Sequence, residues 1–362
     1  PFKNLAGVGV VFKLCQGLEK TSGLSRNFLL WNLDLVALGT VADVMPLTGE
    51  NRVFTFLGLK IINENRRPGI VSLLKNSRFK KGQQIQAWHI AFLIAPRINA
   101  LGRLGEAGEA VDLLCTYNNN EADSIAAKLD NCNIERKKLQ EKIYREALGF
   151  LNTFNLDEIT GIVLSSEKWH EGVIGIVASK IVDEFNRPTI LIVEKDGVCR
   201  GSGRSIPGFN ITASLKKLSV FLEEYGGHDQ ACGLSIRKEN IDSFEKAFKE
   251  EVAEKLGKEI AQKELLIDFP IALGLIDEKL VKDIELLSPF GIGNPKPVFA
   301  ALDVELAGTP NIVGKNHLKF TIKGEGRYIS CIGFSMGDKL NQLRNGEKFS
   351  IAYSPFVDEW NG

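Results

Sequence analysis

The sequence lacks any net charge: 45 Lys and Arg face 45 Asp and Glu over 362 residues. A chain so balanced has no charge excess to favour disorder or indiscriminate nucleic-acid binding, so any anion site must be local. No apolar run approaches the roughly 20 residues needed to span a bilayer, and no basic stretch after Pro1 leads into a signal-like core. These absences predict a cytoplasmic chain with no membrane partner. Six cysteines, Cys15, Cys115, Cys132, Cys199, Cys232 and Cys331, are scattered without a CxxC pair or a histidine at zinc-ligand spacing. They read as reduced and mostly buried thiols, not as a metal or disulfide framework. Methionine is limited to Met45 and Met336, and the run NLAGVGVVFKLCQGL opens the chain as an apolar helix. The expectation is a fragment whose upstream part lies outside this sequence.

What is present is 44% hydrophobic, enough to build the cores of two or three domains at this length. The chain reads as an α/β protein in four parts. Residues 1–117 are mostly helical, broken by DLVALGTVADVMPL (34–47), which reads as a strand running into a loop. Residues 118–151 carry apolar positions at helical spacing among many charges, behind the capping candidates NNN, and predict a helix of about 30 residues spanning about 45 Å. So long a helix with a narrow apolar stripe suits a connector between domains. Residues 152–262 alternate strand and helix: GIVLSS, GVIGIVASKIVDEF, TILIVEK, VCRGSGRS, a helix ending near Tyr225, GLSIRK and a charged helix from about 240 to 256. Asp196-Gly197 between two apolar runs is a hairpin signal. Residues 263–362 turn to short alternating runs with regular turns, the texture of a small β barrel. Asn361-Gly362 is a turn dipeptide, after which a further strand is expected.

Several segments can carry chemistry, each with a structural alternative. Asp43, at the expected end of a strand, either holds a hard divalent cation or caps the next turn. In APRINALGRLGEAGEA, Arg97, Asn99 and Arg103 sit among small residues, where guanidiniums can fork onto phosphate oxygens or tie down a loop through carbonyls. Gly201, Ser202, Gly203, Arg204 and Ser205 combine amides, hydroxyls and a cation, a set suited to a terminal phosphate or to a simple tight turn. No GK[ST] follows, so Walker-type nucleotide hydrolysis is unsupported. His228, after Gly226 and Gly227, is placed to donate to a phosphate, to bind metal, to act as a general acid or simply to pack. His170 has the same options, or starts a helix with Glu171 and Gly172. His89 reads as packing. A basic stretch runs from Arg66 to Lys81. In the tail, Lys315, His317, Lys319, Lys323 and Arg327 accompany Phe320 and Tyr328, the interleaving of cations and rings used by single-strand binders or a solvated surface.

Read in order, DLVALGTVADVMPL, APRINALGRLGEA, WHEGVIGIVASKI with RPTILI, GSGRSIPGFNI, GGHDQACGLSI, LSPFGIGNPKPVF and VGKNHLKF with EWNG resemble the RecJ family of single-strand-specific exonucleases in the DHH phosphoesterase superfamily. The resemblance implies a partial DHH domain, a connector helix, a DHHA1 α/β domain carrying GGH, and an OB-fold-like barrel. It implies hydrolysis of single-stranded DNA from the 5′ end with two ions of Mn²⁺ or Mg²⁺, in recombination and repair. Asp43 would be the last metal ligand. Arg97, Ser202, Gly203 and Arg204 would grip the 5′ phosphate or adjacent backbone, with Asn99, Arg103, Ser205, Gly226, Gly227, His228, Lys315, His317 and Lys319 among the DNA contacts. A single-strand-binding protein and a helicase are the implied partners. No DHH triplet or preceding aspartate motif occurs in the sequence, so the chain is expected to grip substrate without a complete metal site. The alternatives are a phosphodiesterase for short oligonucleotides or cyclic dinucleotides, and a non-catalytic single-strand-binding module.

Overall fold

The computed structural model describes residues 2–64, 66–77, 79, 82–104, 107–152, 159–257, 264–343 and 346–358, with Leu104 by its backbone alone. The EWNG end with its Asn361-Gly362 turn, and the basic positions Arg78, Lys80 and Lys81, lie outside the described residues. The chain divides into two compact units, one of Pro1–Glu64, Gln84–Ala91 and Leu265–Gly362, the other of Asn65–Gln83 and Phe92–Glu264.

The first unit opens with α1 (Gly7–Ser22), α2 (Arg26–Trp31), α3 (Leu33–Ala42) and α4 (Gly49–Asn63). Helix α3 corrects the strand expected over this run. Leu33, Val36, Ala37, Leu38 and Val41 are buried together with the polar Asp34 and Thr40, so the helix is buried nearly all round and shows no periodicity to separate it from a buried strand. Its Leu and Ala content favours the helix. Packing is close: a Cβ on Gly58 of α4 would lie 2.2 Å from the Leu33 carbonyl oxygen, so only glycine permits the approach. Phe12, Leu29, Leu33, Val36 and Phe54 form the core.

The second unit begins with α5 (Pro68–Asn76); the short α6 (Ala87–His89) belongs to the first. It continues with α7 (Ala95–Leu104), α8 (Gly108–Cys115) and the 33-residue α9 (Asn119–Leu151), capped by the Asn118 side chain on the amides of Asn120 and Glu121. The first half of α9 packs on α5, α7 and α8 and the second on α10 (Glu171–Phe185), so it lies within one compact unit and buries a stripe from Ala122 to Leu151. The sheet has the order β1 (Ile162–Ser166), β2 (Thr189–Val193), β3 (Val198–Arg204), β5 (Ala231–Arg237), β4 (Leu222–His228), with only β1 and β2 parallel. Helix α10 covers one face through Val173, Ile174, Val177 and Ile181. The other face packs on α11 (Ile211–Lys217) and α12 (Ile241–Leu256). The helix expected to reach Tyr225 stops at Lys217; Tyr225 lies on β4, paired with Leu234.

The tail returns to the first unit. After β6 (Phe269–Pro270) and α13 (Glu278–Glu285), β7 (Phe299–Val313), β8 (His317–Gly324), β9 (Arg327–Gly333) and β10 (Lys348–Tyr353) form a curled sheet of order β10-β7-β8-β9, with β6 beside β7. Leu273, Ala301, Val304 and Ile322 fill its concave side, consistent with an OB-type half barrel.

Candidate phosphate-binding site

Strand register assembles residues that are far apart in sequence. Arg204 on β3 pairs with Ala231 on β5, which pairs with His228 on β4; the next rows are Gly203, Cys232, Gly227 and Ser202, Gly233, Gly226. Arg204 and His228 thus point from the same face, two strands or about 10 Å apart. Between them the floor is Ala231, Gly233 and Gly226. A Cβ on Gly226 would meet nothing within 4 Å, and one on Gly233 only a backbone oxygen at 4.0 Å, so a strand or nucleotide could lie directly on the sheet there. Gly227 has φ +146°, and a Cβ would come 2.2 Å from the Ala231 carbonyl oxygen, so this position requires glycine.

The amides of Gly201, Ser202 and Gly203 do not form the open turn that the glycine spacing suggested. They lie in β3, laddered to β2 and β5 on both edges, so side chains would have to meet any anion there. Arg204 Nη1 donates to Ser202 Oγ (3.2 Å) and to the Gly203 carbonyl (2.7 Å). Ser205 is turned away from this group and donates to the Phe209 carbonyl at 2.6 Å, a fold-stabilising contact.

Helix α10 brings more charge to the same place. His170 caps it by accepting from the Gly172 amide (3.1 Å), a placement that favours the helix-start option for this histidine. Gly172 and Gly175, three residues apart, share one face of its N-terminal end. A Cβ on Gly172 would be 2.4 Å from the Arg103 carbonyl oxygen, and one on Gly175 2.9 Å from Ser202 Oγ and 3.0 Å from Arg204 Nη2. Arg103 Nη1 also donates to the Gly172 carbonyl at 3.0 Å. Two guanidiniums therefore crowd the positive end of a 15-residue helix, where the dipole favours anions. Desolvation pulls the pKa of each guanidinium down, and for Arg204 the charge of Arg103 adds to it. Both stay charged at neutral pH.

The other expected residues divide. Arg97 is 8% exposed and committed: Nε donates to Asp130 (2.8 Å) and Nη1 to the Leu93 carbonyl (2.6 Å), the structural alternative read from its segment. Asn99 is exposed on α7. In the basic stretch, Arg67 donates to the Leu114 carbonyl and Lys75 pairs with Asp123, so both serve the fold. His228 is exposed, 3.3 Å from Asp229. His89 is buried, as its helical context suggested.

Asp43 closes α3 on an exposed corner. Val44 and Met45 amides bond back to the carbonyls of Val41 and Thr40, both at 3.1 Å, in the six-to-one pattern of a helix stop. That pattern needs a left-handed residue, and here it is Val44, at φ 56°. A β-branched residue in this region costs on the order of 1 kcal/mol or more. Val44→Gly should therefore stabilise the protein by about 1 kcal/mol, read as a raised thermal midpoint. The LSPFGIGNP segment fastens the loop beyond: the Leu47 amide donates to the Ile292 carbonyl (2.6 Å) and Arg52 to that of Leu287 (2.7 Å). Among the described residues no group of three or more His, Cys, Asp or Glu could hold a metal ion, so Asp43 is one ligand candidate and not a centre.

On the half barrel, His317 and Lys319 share the face of β8 opposite its buried Leu318 and Ile322, and Lys315 lies in the preceding turn. Phe320 packs with the core side, which removes it as a stacking platform. Sequence reasoning missed Phe334, 64% exposed and edge-on to His317 with ring centroids 5.5 Å apart. Its lone position after a strand gave no periodic signal. Tyr328 is exposed beside Lys323, which is tied to Glu305.

The DHHA1 domain family matches residues 158–254 and the RecJ OB domain family residues 267–362. The single-stranded-DNA-specific exonuclease RecJ of Bacillus subtilis is 37% identical over the whole chain, which spans 45% of that protein; the Escherichia coli RecJ is 34% identical, with 66% of its length spanned. The structure of Thermus thermophilus RecJ in complex with Mn²⁺ superposes with a TM-score of 0.84 at 31% identity, covering 98% of this chain and 51% of that one. The T. thermophilus RecJ complex with Mg²⁺ gives 0.82. The chain thus spans about half to two thirds of its relatives, and with both domain families in order and full-length similarity to RecJ proteins it belongs to the RecJ family.

Proposed function

We propose that the protein is a metal-dependent exonuclease that degrades single-stranded DNA from its 5′ end to mononucleotides, in recombination and repair in the cytoplasm. A single-strand-binding protein and a helicase would present the substrate. The observation that carries this reading is the convergence of Arg103 and Arg204 on the first turn of α10, beside an open glycine floor. Ser202 and Arg204 hold the terminal phosphate, Arg103 balances its second charge, and His228 donates to a phosphate further along. The Ala231, Gly233 and Gly226 floor lets the sugar-phosphate backbone approach the sheet. Lys315, Lys319 and His317, with Phe334 and Tyr328, hold single strand on the half barrel by charge and stacking.

Mn²⁺ or Mg²⁺, when bound, supplies an activated water and neutralises charge at the scissile phosphate. Asp43 contributes one ligand. The described residues do not complete the site, and in this reading the other ligands come from the part of RecJ proteins that this chain does not span. Asp43→Ala in the full-length protein should weaken Mn²⁺ binding about tenfold by direct titration, roughly 1.4 kcal/mol.

The deciding assay gives full-length protein end-labelled single- and double-stranded DNA, with Mn²⁺ or EDTA. Metal-dependent release of mononucleotides from the 5′ end of single strands alone is the expected result. Binding without cutting would favour a non-catalytic module, and faster turnover of dinucleotides than of long strands a small-substrate enzyme.

A further inference from the structure

The glycine floor of the sheet is bordered at its other end by a second row of charge. Arg200 on β3 pairs with Ser235 on β5, and Ser235 pairs with Glu224 on β4, just as Arg204 and His228 meet through Ala231. Side chains alternate along a strand, so Arg200 and Glu224 stand on the same face as Gly233 and Gly226, two residues or about 7 Å further along. A regular strand would send Glu223 and Glu224 to opposite faces. The register of β4 shifts between Leu222 and Glu224, and with that bulge both glutamates meet arginines of one face: Glu223 accepts from Arg237 Nε at 2.7 Å, and Glu224 Oε2 lies 3.7 Å from Arg200 Nη1.

The two pairs are held differently. Arg237 makes a hydrogen bond, whereas Arg200 and Glu224 sit beyond hydrogen-bonding distance with side chains 57% and 76% exposed. A pair so open contributes little to the fold, and a phosphate oxygen can draw the guanidinium away from the carboxylate. We infer that Arg200 is a further backbone-phosphate contact for a single strand crossing the floor, and that Glu224 is the positioning residue that holds it in check. The grip is then set by exchange of Arg200 between the carboxylate and a phosphate. An enzyme that advances along a strand must release each phosphate it binds, and an arginine that returns to Glu224 is not left unpaired when it lets go. This inference rests on the reading of the glycine floor as the path of the strand.

The test uses the full-length protein in EDTA with 5′-hydroxyl oligothymidylate as probe, its binding followed by fluorescence anisotropy over a range of salt. Glu224→Gln should bind about fivefold tighter at about 0.1 M salt, with the slope of log affinity against log salt steeper by about 0.7, the value for one more phosphate neutralised on a single strand. Adding Arg200→Gln to Glu224→Gln should return both quantities to wild-type values or below, because the gain runs through Arg200. Tighter binding that persists in the double variant would make Glu224 a general repulsive charge. Unchanged affinity and slope in Glu224→Gln would make the pair a surface contact only, and either result overturns the inference. Gly226→Leu tests the floor itself, since a Cβ there meets nothing within 4 Å and the added side chain blocks the path without a clash. If it weakens binding while Glu224→Gln changes nothing, only this inference fails. If it leaves binding unchanged, the floor reading fails with it.

Discussion

Arg204→Ala should weaken binding of 5′-phosphorylated single-stranded DNA by the full-length protein about 100-fold, while a 5′-hydroxyl strand loses no more than about threefold. The side chain is half-buried, and its guanidinium lies against Ser202 and the first turn of α10. Hydrogen bonds from a shielded guanidinium to a phosphate are worth about 1.5 to 3 kcal/mol, and the upper end applies where two charges meet one fork. The fold should survive the change. Arg204 ends β3, its ladder bonds to Thr189 and Ala231 are made by the backbone, and its own hydrogen bonds stay within two residues. Fluorescence anisotropy in EDTA reads binding apart from cutting. Equal weakening for both strand ends would reduce Arg204 to a general backbone contact and leave the terminal phosphate without a holder.

This site was only partly legible in the sequence. Residue types announced themselves: arginines among glycines, a histidine after two glycines, a helix start at His170. Their assembly depends on strand register, because Arg204 and His228 meet only through Ala231 between them. Register is a long-range property that no local spacing encodes. The same limit explains Arg97, whose partner Asp130 lies 33 positions away. Helix α9 was readable because its stripe repeats over nine turns, whereas α3 was not, since a helix buried on all sides has no polar face to set its period. In the half barrel, alternation separated core from surface on β8, but which ring would face outward turned on curvature: Phe320 turned in, and Phe334 stayed out.

The second large effect concerns acid. His89 is 2% exposed on the short α6, stacked on Trp88 with ring centroids 3.6 Å apart, and accepts the Gln86 amide proton at 2.9 Å. Burial lowers its pKa from 6.5 to about 4. The folded ring therefore stays neutral while the unfolded chain takes up a proton near pH 6.5. Stability is complete above that pH, falls as the pH drops through the window from about 6.5 to 4, and levels off once the folded ring also protonates. A shift of this size corresponds to a loss of up to about 3 kcal/mol. Carboxylates held low by their partners, such as Asp123 with Lys75 and Ser72, or Glu251, whose burial is outweighed by Lys255 and Lys217, give up their share only below the usual carboxylate range. The interval from pH 6.5 to 4.5 thus isolates the histidine. Urea midpoints measured across it should fall steeply for wild type and much less for His89→Gln, so that the variant, less stable at pH 7, approaches wild type at pH 4.5. Parallel curves would mean that His89 takes its proton in the folded state at an ordinary pH, and that acid sensitivity arises elsewhere.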